Sequence, residues 1–211
     1  MSVIFIDQAI EVMTDPEVYR YFTLDLEQIA RVCYKSEDKI TGGSAEVLLS
    51  KIMAKGHGSV LEHMNLTIKL ITDRGVSHRM VRHRHCAFMQ ESTHYIDYHK
   101  KGELIMIRQA GLERASVHRQ NWEDYMLKIS DMYNHLSSAG VPHEVTASLL
   151  PMALKTELII TTNLLEWQHI MRVRSTPKNH PQTRAIMRLI ITWFKKNLPF
   201  FVQGIEIPEE D

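Results

Sequence analysis

Five potentially cationic side chains, Arg79, Arg82, His83, Arg84 and His85, fall within seven residues, shortly after a segment that alternates like a β-strand. In that segment Met64, Leu66, Ile68 and Leu70 alternate with Asn65, Thr67, Lys69 and Ile71, so one face of the strand is apolar and buried. The cationic run repels itself, and any fold that contains it must supply acidic partners, solvent or an anionic ligand. The spacing within 75–84 predicts a short helix presenting Arg79, Arg82 and His83 on one face while Val76 and Met80 anchor the other. The chain must therefore pass from a buried strand almost directly into a charged helical element.

Other periodicities surround this pair. Residues 3–6 read as a short strand and 26–34 as the start of a helix with an apolar face. Gly42-Gly43-Ser44 punctuates before a helix over 45–54, which Lys55-Gly56-His57-Gly58 terminates. Trp122, Tyr125, Met126, Ile129, Met132 and Tyr133 recur at spacings of three and four, predicting a helix over much of 112–137. After Gly140, Pro142 is placed near the first turn of another helix. Residues 157–162 read as a strand, and 164–172 and 181–196 as helices. With no low-complexity tract or clear repeat, the expectation is one α+β domain over 1–211, its helices packed on a central, mostly antiparallel or mixed sheet.

Charge balance narrows the ligand. Lysine plus arginine equals aspartate plus glutamate at 25 each, so the positive field is local, which argues against a nucleic-acid backbone as partner. Two cysteines, Cys33 and Cys86, make neither a disulfide framework nor a Cys-x-x-Cys metal or redox pair. The first residues lack a positive leader and no stretch has the length of a membrane span, so the expectation is a cytoplasmic protein without a membrane partner.

Phosphate loops, dinucleotide fingerprints and nucleophile elbows are absent. His57 lies between two glycines that allow close approach of backbone and imidazole to a ligand, and Ser59 adds a hydroxyl. The guanidinium forks of Arg82 and Arg84 match phosphate oxygens, beside the hydrogen-bonding segment Gln90-Glu91-Ser92-Thr93. A later polar set comprises Asn163, Gln168, His169, Arg172 and Arg174. Cys86 has no recognisable activating base in its neighbourhood, and no metal set is expected. A phosphorylated small molecule is the leading ligand class, with nucleic acid as the rival.

The run Arg82-His83-Arg84-His85-Cys86-Ala87-Phe88-Met89-Gln90-Glu91-Ser92-Thr93-His94-Tyr95 resembles the signature of the flavin-dependent thymidylate synthase family, Arg-His-Arg-x-x-Ser-x-Asn-x-x-Ser-x-Arg followed by tyrosine. The opening triplet, Ser92 and Tyr95 fit; Ala87, Met89 and His94 depart from it. His57-Gly58-Ser59-Val60-Leu61-Glu62-His63, Gly140-Val141-Pro142-His143-Glu144-Val145, Leu150-Pro151-Met152, Thr162-Asn163 and Val173-Arg174 extend the likeness, in order, over about residues 1–204.

The resemblance implies the family's α+β fold, a homotetramer, and FAD bound between subunits. It implies a reaction in which methylenetetrahydrofolate donates a one-carbon unit to dUMP, flavin reduces it to give dTMP, and NADPH restores the flavin. By the same resemblance His57, Ser59, Arg82, His83, Arg84 and Asn163 would hold FAD. Arg79, Arg82, Gln90, Ser92, His94 and Arg174 would surround the pyrimidine monophosphate. Arg174 would orient and polarise the pyrimidine, with His180 and Gln182 in a further polar region. Leu165, His169 and Ala147 replace polar family residues, and Arg79 stands where glutamine is frequent. Where His94 and Ala147 take the place of arginines, the phosphate grip is weaker by on the order of 1–3 kcal/mol for each. An ordinary imidazole, with a pKa of about 6.5, carries only part of a charge near neutrality. These departures keep two alternatives open: a divergent flavoenzyme acting on another pyrimidine monophosphate, and a non-catalytic nucleotide- or nucleic-acid-binding protein.

Overall fold

The computed structural model describes residues 1–112 and 116–209. Its strands are β1 (Ser2–Ile6), β2 (Ala9–Val12), β3 (Asn65–Asp73), β4 (Ala87–Gln90), β5 (Glu103–Ile107) and β6 (Lys155–Asn163). Its helices are α1 (Pro16–Tyr19), α2 (Phe22–Val32), α3 (Ser44–Ala54), α4 (Arg74–Met80), α5 (Tyr98–Lys101), α6 (Ser116–Ser138), α7 (His143–Thr146), α8 (Leu164–Arg174) and α9 (Pro181–Asn197).

The centre is the antiparallel pair β3–β6, nine residues long, from Asn65 opposite Asn163 to Asp73 opposite Lys155. Alternation decides the register. Leu66, Ile68 and Leu70 point with Leu158 and Ile160 into the core and are fully buried. Burying each such side chain stabilises the fold by about 1.5–3 kcal/mol, an upper estimate given a compact unfolded chain. On the other face Thr67 meets Thr161 through their hydroxyls at 2.9 Å, and Lys69 pairs with Glu11 of β2. A slip of one residue would exchange the two faces, so this register is strongly specified. β2 and β4 flank the pair, giving the antiparallel order β2-β3-β6-β4.

Helices α8 and α9 cover the apolar face. In α9, Ile186, Met187, Ile190, Ile191 and Phe194 recur at spacings of three and four and are fully buried. In α8, Trp167 is fully buried and its Nε1–H donates to the Leu66 carbonyl at 3.0 Å, tying helix to strand. α2 and α3 join through a buried polar knot: Glu27 Oε1 accepts from Arg31 Nε at 2.8 Å, Arg31 Nη2 at 2.5 Å and Ser44 Oγ at 2.6 Å. A smaller cluster holding Leu104, Met106, Tyr133 and Leu154 lies against the parallel pair β1–β5.

One expected helix is corrected in its extent. The helix expected over 75–84 ends at Met80; the His83 N–H still bonds the Met80 carbonyl, but the chain then turns so that Ala87–Gln90 can pair with β6. Pro142 is the N-cap of α7, next to its first turn as expected, and β2, β4 and β5 were not foreseen. The helix expected over much of 112–137 is present as Ser116–Ser138; residues 113–115 lie outside the described residues.

Candidate functional site

Each central strand runs straight into a capped helix. At the end of β3, Asp73 Oδ1 accepts the Val76 N–H at 2.7 Å and starts α4; at the end of β6, Asn163 Oδ1 accepts the Glu166 N–H at 2.9 Å and starts α8. Because the strands are antiparallel, the helices leave from opposite ends of the ladder, and their C-terminal ends meet. There Arg174 Nη2 donates to the Arg79 carbonyl at 2.9 Å. Arg79 folds back along its own helix, Nη1 donating to the Gly75 carbonyl at 2.6 Å. A Cβ at position 75 would lie 3.4 Å from that Nη1 and 3.2 Å from Asp73 Oδ1, so glycine leaves the room this turn needs.

This junction accounts for part of the cationic run. Carbonyls at helix C-termini carry partial negative charge and favour cations. Repulsion is not abolished, however. Burial, then the charges of Arg79 and Arg82, holds the Arg174 guanidinium below the usual arginine range. Arg82 and Arg84 are exposed and, among the described residues, have no acidic partner.

His83 is the buried member of the triplet, 6% exposed. Arg174 Nε–H donates to its Nε2 at 3.0 Å, so that nitrogen is the acceptor and Nδ1 carries the proton, which it donates to Glu166 Oε1 at 3.1 Å. Burial, then the Arg174 charge, lowers the His83 pKa, while Glu166 pulls the other way. His169, exposed, stands edge-on with ring centres 5.6 Å apart. Ligand-type atoms of His83, Glu166 and His169 lie within 4.8 Å of one another, but both nitrogens of His83 are already engaged. The group is therefore a hydrogen-bonded relay rather than an open metal set.

The remaining foreseen residues lie outside this hydrogen-bonded group. His57 and Ser59 are exposed and line a cavity of about 320 Å³ with Cys33, Tyr34, Ile52 and Val60. A Cβ on Gly58 would lie 2.7 Å from Leu165 Cδ1, so glycine lets this segment lie against the start of α8, beside Asn163. The Gln90 amide donates to Ser77 Oγ at 2.9 Å and Thr156 Oγ1 at 3.3 Å, which fixes β4 to α4 and β6. Ser92 Oγ accepts the backbone N–H groups of His94 and Tyr95. The His94 carbonyl accepts from His143 Nε2, and the His94 ring lies 4.9 Å from Tyr95. Among the described residues no hydrogen bond joins Ser92 or His94 to the Arg174 centre.

Two polar residues serve the fold. Gln168 donates to the Phe201 carbonyl, and the buried Gln182 accepts from the Ala110 N–H and donates to the Arg108 carbonyl. His180 caps α9. The Cys86 thiol is pushed up to about 11 by burial, which disfavours a thiolate nucleophile.

The sequence reading missed Glu166. Asn163 followed three residues later by Glu166 is the spacing of a helix-capping pair, which assigns the carboxylate locally. Only the contact with His83, 83 residues away, reveals its use.

Comparison with known proteins identifies the family and the fold. The family model for the thymidylate synthase complementing protein matches residues 21–200. The flavin-dependent thymidylate synthase of Geobacter sulfurreducens is 32% identical over 164 residues, covering 74% of this chain and 70% of the relative. That of Pyrococcus furiosus is 28% identical over 193 residues, covering 84% and 78%. Among solved structures, a UMP/dUMP methylase, PolB from Streptomyces cacaoi bound with 5-Br dUMP, superposes with a TM-score of 0.74 at 19% identity, over 99% of this chain and 100% of that one. At that identity the likeness is one of fold.

Proposed function

The chain belongs to the flavin-dependent thymidylate synthase family and is an enzyme of that class, and from this premise we propose that it methylates dUMP to dTMP. Methylenetetrahydrofolate is the proposed one-carbon donor and NADPH the proposed reductant. The observation that carries the reading is the Arg174 guanidinium, held at Nε by His83 and at Nη2 by the Arg79 carbonyl. Among the described residues its Nη1 has no hydrogen-bond partner, which leaves a fixed cation to face a pyrimidine carbonyl. A positive donor there draws charge toward the ring oxygen as C5 attacks the one-carbon unit, and because it is already positioned it needs little reorganisation.

The donor set supports FAD. Arg82 and Arg84 offer exposed guanidinium forks suited to a diphosphate, and the cavity beside His57 and Ser59 offers an apolar wall closed by Val60 and Ile52. Bound flavin supplies the hydride that turns the transferred unit into a methyl group. The bonds of His83 to Glu166 and Arg174 give it a second role, support of Arg174, beside its proposed place among the FAD-binding residues. A homotetramer is part of the proposal. It is supported by the absence, among the described residues, of any hydrogen bond from Ser92 or His94 to the Arg174 centre, and by the exposed apolar Met89 at 71% and Tyr95 at 83% that flank them in the chain. Sites completed by a neighbouring protomer have this open form in one chain. The free thiols of Cys33 and Cys86 support a reducing, cytoplasmic setting.

A second reading, methylation of another pyrimidine monophosphate, is favoured by one observation: His94 and Ala147 stand where arginines would grip the phosphate. FAD-loaded protein incubated with labelled methylenetetrahydrofolate, NADPH and each of dUMP, UMP, dCMP and CMP separates the two. Label in dTMP is the expected result; label confined to another nucleotide defeats the leading choice.

A further inference from the structure

We infer that Glu166 is a positioning residue for the reaction, fixing the proton of His83 on Nδ1 so that Nε2 can anchor Arg174 in the orientation the pyrimidine requires. The inference rests on the proposed reaction for its catalytic part, but its chemistry is legible without it. A neutral imidazole has one donor and one acceptor nitrogen, and the choice follows from its neighbours. A carboxylate only accepts, so Glu166 Oε1 at 3.1 Å requires a proton on Nδ1. A guanidinium only donates, so Arg174 Nε at 3.0 Å requires a lone pair on Nε2. Both demands are met by one tautomer, and Glu166 and Arg174 each fail if it changes.

Burial gives the arrangement its force. The side chains of His83 and Glu166 are 6% and 11% exposed, so water is poorly placed to substitute for either. The α8 backbone holds both ends: Glu166 lies in its first turn and Arg174 is its last residue, with His83 bridging them from the loop after α4. With Nε and Nη2 committed to His83 and the Arg79 carbonyl, rotation of the guanidinium is stopped at two points. Loss of Glu166 removes the bias toward Nδ1–H. The alternative tautomer turns Nε2 from acceptor into donor, directly against the Arg174 Nε–H.

Long-range proton–nitrogen correlation on FAD-loaded full chain labelled with ¹⁵N-histidine reads the tautomer directly. His83 with its proton on Nδ1 is expected; a proton on Nε2 in the wild type overturns the inference whatever the variants do. In Glu166→Ala the Nε2–H form should appear, and turnover at saturating dUMP should fall about 10- to 100-fold with FAD affinity unchanged. Glu166→Gln, whose amide oxygen can accept the same proton, should keep the wild-type tautomer and most of the turnover. Unchanged tautomer and turnover in Glu166→Ala would also overturn the assignment. A wild type that methylates no pyrimidine defeats the proposed reaction alone, because the tautomer and the Arg174 Nε–H signal still decide what Glu166 does.

Discussion

Arg174→Ala separates the stability of the site from its chemistry. The substitution removes two hydrogen bonds, Nε–H to His83 Nε2 at 3.0 Å and Nη2–H to the Arg79 carbonyl at 2.9 Å. At about 1 kcal/mol net for each, the folded state loses about 2 kcal/mol. Relief of the repulsion that Arg79 and Arg82 exert on this guanidinium offsets part of that. For a chain of this size each kcal/mol moves Tm by about 2–4 °C, so the variant should fold and melt within several degrees of the wild type. Turnover should respond much more. Removing one preorganised donor from developing charge costs about 2.7–4 kcal/mol, or a factor of about 10²–10³ in kcat. Arg174→Lys should restore the charge but little of the activity, since an ammonium cannot span His83 and the Arg79 carbonyl while also facing outward. The assay is flavin absorbance to confirm loading, a thermal melt, and steady-state turnover at saturating nucleotide. A loaded, folded variant that turns over within about threefold of wild type would refute the role assigned to Arg174.

Four further outcomes are expected. Glu27→Ala leaves the Arg31 guanidinium buried and unpaired and should cost about 3–5 kcal/mol in urea melts, whereas replacing Glu27 and Arg31 together by leucine should cost far less. His94→Arg should tighten pyrimidine monophosphate binding by about 1–3 kcal/mol in calorimetry; weaker binding would mean that the position serves another purpose. At pH 8 iodoacetamide should label the exposed Cys33 and spare Cys86, whose thiol is pushed up to about 11, and Cys86→Ser should keep its turnover. The His83 pKa is lower folded than unfolded, so below about pH 6.5 the unfolded chain binds the proton first. Stability should therefore fall as pH drops from that value toward the folded pKa, and His83→Gln should lack that component of the fall in melts across pH 5–7.

The parts of the fold with a clear period were legible. β3 alternates over its length, and α9 repeats its apolar residues at three and four, so each declared its buried face. β4 has only four residues and β5, Glu-Leu-Ile-Met-Ile, is apolar on both faces, so neither carries a period to read. The site divides in the same way. Arg79, His83 and Arg174 were found through composition and resemblance, and the structure brings them together. Glu166 was hidden because its local spacing fits a cap equally well. The reading of Gln182 as part of a polar pocket missed that its amide holds the 108–110 backbone.

The nine-rung β3–β6 ladder acts as a gauge block for the reaction centre. Arg79 and Arg174 stand on helices fastened to its opposite ends, so the span between those helix starts is set by the number of paired residues. Insertions between elements leave that span alone, whereas adding or deleting one residue inside either strand shifts a helix by about 3.4 Å and turns its face over. Laboratory evolution of nucleotide preference should therefore find its freedom in the 91–98 and 139–150 segments, and almost none in strand length.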